Sequence, residues 1–240
     1  MKKLLFAAFI LLTACSESKE KDIIKKCIAA HGGDAYQELH ASFKFRDMSY
    51  EIENNHGLYA YTRYQKDSSG LTVKDILTNE GFQRFVDNQA VSLPDSMVSK
   101  YSQSVNSVAY FFLLPFGLEQ ENVWKTYKGE TIIGSQKYHE IHVAFDPEKG
   151  GVDHQDEYIF WINTESYTLD YFAYNYETNG GGSRLREATK RHNIKGFIFQ
   201  DYNNYGLETK EVKLSTLPSI LNRGDLPLLS TIENENIKVW

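Results

Sequence analysis

Hydrophobic residues near the start of the chain recur at helical spacing. The stripe consists of Ile23, Ile24, Cys27, Ile28 and His31. Because lysine and aspartate side chains take the opposite side, the pattern predicts an amphipathic helix packed against another element. This helix is expected to end at Gly32-Gly33, since glycine readily adopts the left-handed conformation that closes a helix. On the buried stripe, Cys27 is predicted to be a small core residue and His31 a structural histidine.

Alternating apolar and polar residues then predict a series of short strands. In the first half of the chain these strands cover residues 42–52, 58–67, 71–79 and 82–87. The alternation changes parity near Arg46 and Asp47, which predicts a β-bulge at that point.

The middle of the chain returns to helical spacing over residues 95–114. Pro94 precedes this segment and Pro115 follows it, and proline is common just before a helix and ends one when it follows. The end of the predicted helix, residues 110–116, has the sequence YFFLLPF and no polar side. Such an element must be buried on all sides or fill a cavity.

Short strand patterns resume in the second half. They cover residues 123–128, 137–145, 157–163, 169–177, 183–192, 196–205 and 209–214. Turn residues recur about every ten positions, which is typical of an antiparallel meander. The pattern predicts a single α+β domain, in which a curved antiparallel sheet forms a half-open β-barrel with the middle helix as its lid. A sheet wrapped around a helix favours an apolar ligand cavity.

The first fifteen residues carry a targeting signal. Lys2 and Lys3 precede nine apolar residues, and the run ends in Leu12-Thr13-Ala14-Cys15. This order resembles a bacterial lipobox, which implies cleavage before Cys15 and acylation of that cysteine. An ordinary secretory signal and a transmembrane anchor are the alternatives, but the run is about half the length of a membrane span. The predicted divisions are a signal peptide at 1–14, a tether at 15–22 and a domain at 23–240.

Composition narrows the possible partners. The formal net charge of −6 argues against nucleic acid as a partner. Sixteen tyrosines and fourteen phenylalanines favour β structure. Once Cys15 is acylated, Cys27 has no partner for an intramolecular disulfide. No nucleotide-binding or hydrolase motif is present, and no cofactor is predicted.

Several segments together resemble a family of bacterial lipoproteins without assigned chemistry. They are Cys15, HGG at 31–33, SFKFRD at 42–47, FFLLPFGL at 111–118, GGGSRLREA at 180–188 and FQDY at 199–202. That family is similar in outline to the superfamily of the outer-membrane lipoprotein carrier and receptor. The resemblance implies a half-open barrel, a helical lid over an acyl-binding cavity, and an envelope protein anchored in the outer membrane. The acylated receptor is the closer analogue, because the carrier is not acylated.

Candidate site residues fall into three groups. Aromatic residues predicted to line the cavity are Tyr101, Phe111, Phe112, Phe116, Trp161, Phe172 and Tyr174. Arg184 and Arg186 share one strand parity and are candidates for contact with an anionic group, although the solvated face of a sheet is the alternative. His139 and His142 lie three apart, which on a strand places them on opposite faces and argues against a metal site. The acidic segment 153–157 is predicted to be a solvated loop rather than a Ca²⁺ site.

Three functions are compatible with these features. The first is a non-catalytic envelope lipoprotein that holds an acyl chain or another apolar ligand in the half-barrel. The second is a periplasmic hydrolase that uses histidines and carboxylates between residues 139 and 157, among them His142, His154 and Asp156. The third is a scaffold that docks another envelope protein through a sheet edge or aromatic surface.

Overall fold

The computed structural model describes residues 18–120, 123–145, 157–177, 180–209 and 211–240. Within these ranges the α-helices are α1 (Lys19–His31), α2 (Asp95–Leu113) and α3 (Leu217–Asn222). None of the described helices has the length and apolar character needed to cross a membrane. The predicted signal peptide and Cys15 lie outside the described residues.

Fourteen described strands form two antiparallel sheets of seven strands each. Sheet one has the order β14-β1-β2-β3-β4-β5-β6 and sheet two the order β13-β12-β11-β10-β9-β8-β7. The strands of the first half are β1 (His40–Phe45), β2 (Met48–Asn55), β3 (Leu58–Lys66), β4 (Thr72–Thr78), β5 (Gly81–Val86) and β6 (Gln89–Val91). Those of the second half are β7 (Val123–Ile133), β8 (Gln136–Phe145), β9 (Tyr158–Asn163), β10 (Leu169–Tyr176), β11 (Gly182–Ile194), β12 (Phe197–Leu207), β13 (Leu228–Ile232) and β14 (Glu235–Val239). The predicted α+β class with antiparallel strands is therefore confirmed.

The strands divide between two sheets, where the sequence pattern predicts one curved sheet. β13 is the terminal strand of sheet two and β14 that of sheet one, and only Glu233 and Asn234 separate them. The last extended segment of the chain therefore leaves β12 at Ile232 and joins β1 at Glu235. Hydrophobic alternation shows which face of a strand is buried, but it does not show which strand lies beside it. It therefore does not reveal that one extended segment changes its hydrogen-bonding partner.

Helix α1 follows the predicted stripe. Its five predicted inward residues are all buried, and it packs on the inner face of sheet two. The helix ends at Gly32, where φ is 141° and an added Cβ would lie 2.9 Å from the Phe197 ring. It begins at Lys19, so residues 19–22 form its first turn.

Helix α2 lies against both sheets at its C-terminal end. Ala109, Phe112 and Leu113 enter a core shared by β1, β2 and β12. Leu114, just past the helix, enters a second core between α1 and sheet two. The prediction of an all-round apolar helix end that must be buried is confirmed for Phe112, Leu113 and Leu114.

Other details differ from the sequence pattern. Arg46 and Asp47 form the turn between β1 and β2, with Arg46 at φ 55°, rather than a bulge. A tight turn and a bulge both shift the strand parity, so alternation alone does not separate them. The predicted strand at 209–214 is also wrong, because its described residues are not in a strand. That segment leads into α3, which covers the outer face of sheet two.

Candidate functional site

Phe112, at the C-terminal end of α2, fills space between the two sheets. The Phe112 ring lies 3.8 Å from the Phe43 ring of sheet one and 4.4 Å from the Phe199 ring of sheet two, stacked on both. Stacked rings at these distances add attraction beyond the burial of apolar area. Phe112 therefore packs the lid helix onto both sheets at once.

The neighbouring residue, Phe111, contacts sheet two alone. Its ring centroid lies 5.6 Å from that of Phe172 and 5.5 Å from that of Tyr174, both on β10. The guanidinium carbon of Arg186 on β11 lies 4.0 Å from the same Phe111 centroid. These four residues, Phe111, Phe172, Tyr174 and Arg186, are called the α2 cluster below. The cluster combines an aromatic surface with one positive charge.

Arg186 is directly opposite Phe172 in the β10–β11 register. Its Nη2 donates to the Tyr174 hydroxyl over 3.1 Å. Its Nε is buried and has no hydrogen-bond partner among the described residues. A buried donor without a partner costs free energy, so this is an unusual position for an arginine.

Arg184, two residues earlier on the same strand, is held within the fold. Its guanidinium donates to the carbonyl oxygens of Ser183 and Leu207 and pairs with Glu208 over 3.1 Å. It also bonds the Tyr176 hydroxyl. Arg184, one of the two predicted anion contacts, thus has an acidic partner and several hydrogen bonds. Arg186, the other, has one hydrogen bond and no acidic partner among the described residues.

The other predicted cavity residues lie apart from the α2 cluster. Phe116 stacks on Tyr36 at 5.3 Å, in the same core as Phe112. Tyr101 lies near the start of α2, with the Arg84 guanidinium carbon 3.6 Å from its ring centroid. Trp161 belongs to the core on the outer face of sheet two. The structure therefore brings Phe111, Phe172 and Tyr174 together and places the remaining aromatic candidates elsewhere.

The histidines of β8 lie on opposite faces, as the strand pattern predicts. His142 donates through Nε2 to Glu140 over 2.8 Å, and Glu140 also accepts from Thr131 (2.6 Å) and Trp161 (3.1 Å). Burial opposes ionisation of Glu140, but these hydrogen bonds outweigh it and lower the pKa of the carboxyl. The three bonds link β7, β8 and β9, so Glu140 has the partners expected of a structural carboxylate.

His139, on the other face of β8, is buried beside Tyr127 and Tyr167. Desolvation lowers its pKa, partly offset by Glu130. The described residues contain no group of three metal-ligating side chains. His154, Asp156 and the rest of the acidic loop between β8 and β9 lie outside the described residues.

A cavity of about 700 Å³ lies where the final extended segment leaves sheet two. Its lining includes His192, Asp201 and Asn234. Asp201 accepts from His192 Nε2 over 2.9 Å and from the Asn234 backbone N–H over 2.8 Å. The sequence pattern does not predict this cluster, although the charged Asp201 among the aromatic residues of FIFQDY is a usable signal. A second cavity, about 240 Å³, lies between β5, β6 and the start of α2.

A family model matches residues 2–234 of the chain. The chain belongs to DUF6503, a family of unknown function. This membership covers both the predicted targeting signal and almost the whole of the described fold. None of the curated proteins compared with the DUF6503 chain by sequence matches it.

Several solved structures are similar to this DUF6503 protein. A LolA superfamily protein from Nitrosomonas europaea is similar over 92% of this chain and 94% of its own, with 8% identity and a TM-score of 0.50. A DUF1329 family protein from Desulfovibrio piger matches over 91% and 92%, with 8% identity and a TM-score of 0.39. The lipoprotein LppX of Mycobacterium tuberculosis matches over 69% and 91%, with 12% identity and a TM-score of 0.30.

The first of these likenesses confirms the predicted resemblance. The DUF6503 chain has the open β-barrel fold of the LolA superfamily, which is the half-open barrel that the sequence motifs imply. At this level of identity the likeness concerns the fold, and the function has to be argued from the site.

Proposed function

We propose that this DUF6503 protein is a lipid-anchored envelope protein that holds an acyl chain or another apolar ligand, without catalysing a reaction. The observation that carries the proposal is the packing of Phe111 and Phe112. These two rings of the lid helix stack on Phe172 and Phe199 of sheet two, where an acyl chain would lie in the cavity that the family resemblance implies. Movement of the C-terminal end of α2 would withdraw both rings and expose Phe172 and Phe199 to a ligand.

The energetics favour exchange of a ring for a chain. Each methylene group buried from water contributes about 0.8 kcal/mol, so a chain of twelve carbons outweighs the burial of one phenylalanine. Phe111 is only partly buried, whereas Phe112 is buried at 5% exposure. We therefore expect Phe111 to be displaced first.

The binding proposal is tested on the full chain carrying Cys15→Ser, which has no acylation site. Native mass spectrometry after incubation with dodecanol or dodecanoate should show a bound ligand. Phe111→Ala should raise the bound fraction severalfold, because it removes the competing ring. Phe82→Ala, which removes a ring that packs on Tyr101 near the start of α2, is the matched control and should leave the bound fraction unchanged. A chain that stays empty with both amphiphiles, in the parent and in Phe111→Ala, would refute the proposal.

Anchoring through Cys15 is tested separately in bacterial cells. The wild-type protein should incorporate labelled palmitate and remain with membranes. Cys15→Ser should lose the label, whereas Cys27→Ala should keep it, because Cys27 is fully buried in the folded domain. Label retained by Cys15→Ser would contradict the proposed anchor.

A further inference from the structure

The strongest unexplained feature of the fold is the charge of Arg186. Among the described residues its guanidinium makes one hydrogen bond, to Tyr174, and no ion pair. Its carbon lies 4.0 Å from the Phe111 ring centroid and 5.5 Å from those of Phe172 and Tyr174. Contact with aromatic faces compensates part of the desolvation of a cation, but a partly buried arginine normally also has an acidic partner.

The carboxylates near Arg186 that belong to the described residues are directed elsewhere. Glu187 follows Arg186 in sequence but lies on the opposite face of β11, where it accepts from Tyr171, Tyr205 and Asn203. Asp170 on β10 is paired with Arg191. Arg184, on the same face as Arg186, is paired with Glu208. Each of the other two arginines on β11 has an acidic partner. Strand position alone therefore does not explain why Arg186 has none within the described part of the chain.

The geometry around Phe111 relates this charge to the ligand. Arg186 lies beside the three aromatic rings of the α2 cluster. It therefore borders the same surface that an acyl chain would cover on displacing Phe111. Withdrawal of Phe111 would also remove the aromatic face closest to the guanidinium. A ligand that replaced the ring with methylene groups alone would leave the cation with less compensation than before.

We infer that the amphiphile bound at the α2 cluster carries a carboxylate or phosphate, which pairs with the Arg186 guanidinium. This inference rests on the proposed function and specifies the chemical class of its ligand. The free donors of Arg186 are suited to an oxyanion, because a planar guanidinium forms two parallel charge-assisted bonds with it. The Tyr174 hydroxyl, already bonded to Arg186, lies beside the same position.

The test compares amphiphiles that share a twelve-carbon chain and differ in the head group. Dodecanoate, dodecyl phosphate and dodecanol compete with the neutral fluorescent probe N-phenyl-1-naphthylamine for the full chain carrying Cys15→Ser. At least one anionic amphiphile should bind about tenfold or more tightly than dodecanol, the range expected for a charge-assisted hydrogen bond. Which of the two binds better distinguishes a carboxylate from a phosphate ligand.

Variants test whether Arg186 causes the preference for anionic amphiphiles. Arg186→Gln should bind all three amphiphiles with similar affinity, Arg186→Lys should retain part of the anionic preference, and Arg184→Gln should retain all of it. Circular dichroism tests whether each variant is folded. If Arg186→Gln does not fold, the anionic preference of Arg186→Lys decides the test instead. Equal binding of anionic and neutral amphiphiles by the parent, or an unchanged preference in Arg186→Gln, would overturn the inference. Absence of binding by all three would instead refute the proposed function.

Discussion

His31 illustrates how a single buried side chain couples the fold to pH. Its ring is fully buried, and Nδ1 donates to the Cys27 carbonyl over 2.9 Å, one helical turn back. Nε2 is buried and has no hydrogen-bond partner among the described residues. Desolvation lowers the pKa of His31 below its ordinary value of 6.5, although the Cys27 carbonyl, Gln200 and Asp170 partly oppose this. The neutral imidazole is therefore the form that the fold accommodates.

Stability should consequently fall as the solution is acidified below about pH 6.5. Because the folded-state pKa lies below that of the unfolded chain, the unfolded state binds more protons in the window between the two values. One such group changes the free energy of unfolding by at most about 1.4 kcal/mol per pH unit. Urea titrations between pH 7.5 and 5 should show this loss.

His31→Gln should flatten the pH dependence in this window. His56→Gln is the control, because His56 is exposed and pairs with exposed Glu38. An identical slope in the wild type and in His31→Gln would contradict the assignment to His31.

At the scale of elements, a buried ionic cluster holds the lid helix to sheet one. Asp75 on β4 is fully buried and accepts from Arg63 at 2.6 Å and from Arg84 at 2.6 Å. Arg63 also donates to Ser104 of α2 over 2.8 Å, and Arg84 lies over Tyr101 of the same helix. The first part of α2 is therefore fixed by polar contacts, while its end is fixed by aromatic rings.

Asp75→Asn should destabilise the fold strongly. Removing the shared carboxylate charge leaves two largely buried guanidinium groups without their counter-ion, which typically costs about 3–5 kcal/mol. Urea unfolding measures the loss, and hydrogen exchange should locate reduced protection in α2.

Asp225→Asn is the matched control, since Asp225 forms an exposed pair with Arg223 and should change stability little. A change in Asp75→Asn no larger than in this control would show that the cluster does not hold the helix.

At the scale of the whole molecule, the joint between the two sheets depends on a few polar residues. Asn234, in the link between β13 and β14, donates its backbone N–H to Asp201 and its side-chain amide to the Gln200 carbonyl, both at 2.8 Å. Gln200 in turn donates to the Leu169 carbonyl over 2.9 Å. The FQDY segment thus ties the final extended segment to sheet two at the edge of the 700 Å³ cavity.

Asp201→Ala should destabilise the contact between the β13–β14 link and sheet two more than it destabilises the barrel as a whole. It leaves the Asn234 N–H and His192 without their acceptor, at a cost of about 1–3 kcal/mol for a buried donor. Hydrogen exchange should therefore accelerate in β14 more than in β2 or β3.

Asn222→Ala removes a comparable side-chain hydrogen bond, to the Gly134 N–H at the surface, and serves as control. Uniform acceleration across both sheets in Asp201→Ala would contradict a local joint.

Much of the fold follows from short-range pattern. The stripe of α1, the bounds of α2 between its two prolines, and most strands of both sheets are set by neighbours within a few residues, where apolar periodicity directly reports the buried face. Short terminal elements were missed. β6 has only three residues and β13 and β14 five each, which are too few to establish a period.

The candidate site was only partly predictable. Phe111, Phe172, Tyr174 and Arg186 were each identifiable as residues of interest, but their proximity joins positions up to 75 apart along the chain. Asp75 was hidden in an alternating strand, although its parity with buried Val73 and Leu77 was a signal of burial.

The sequence by itself determined the family, the α+β class and which faces of most elements turn inward. These properties depend on composition and local periodicity. Only the tertiary structure decided that the strands form two sheets, that Asp75 binds two arginines under the lid helix, and that Arg186 lies beside Phe111 with no acidic partner in the described ranges. Such contacts depend on which elements, distant in sequence, become neighbours in space. The alternation of apolar and polar residues along one strand does not indicate which element packs against it.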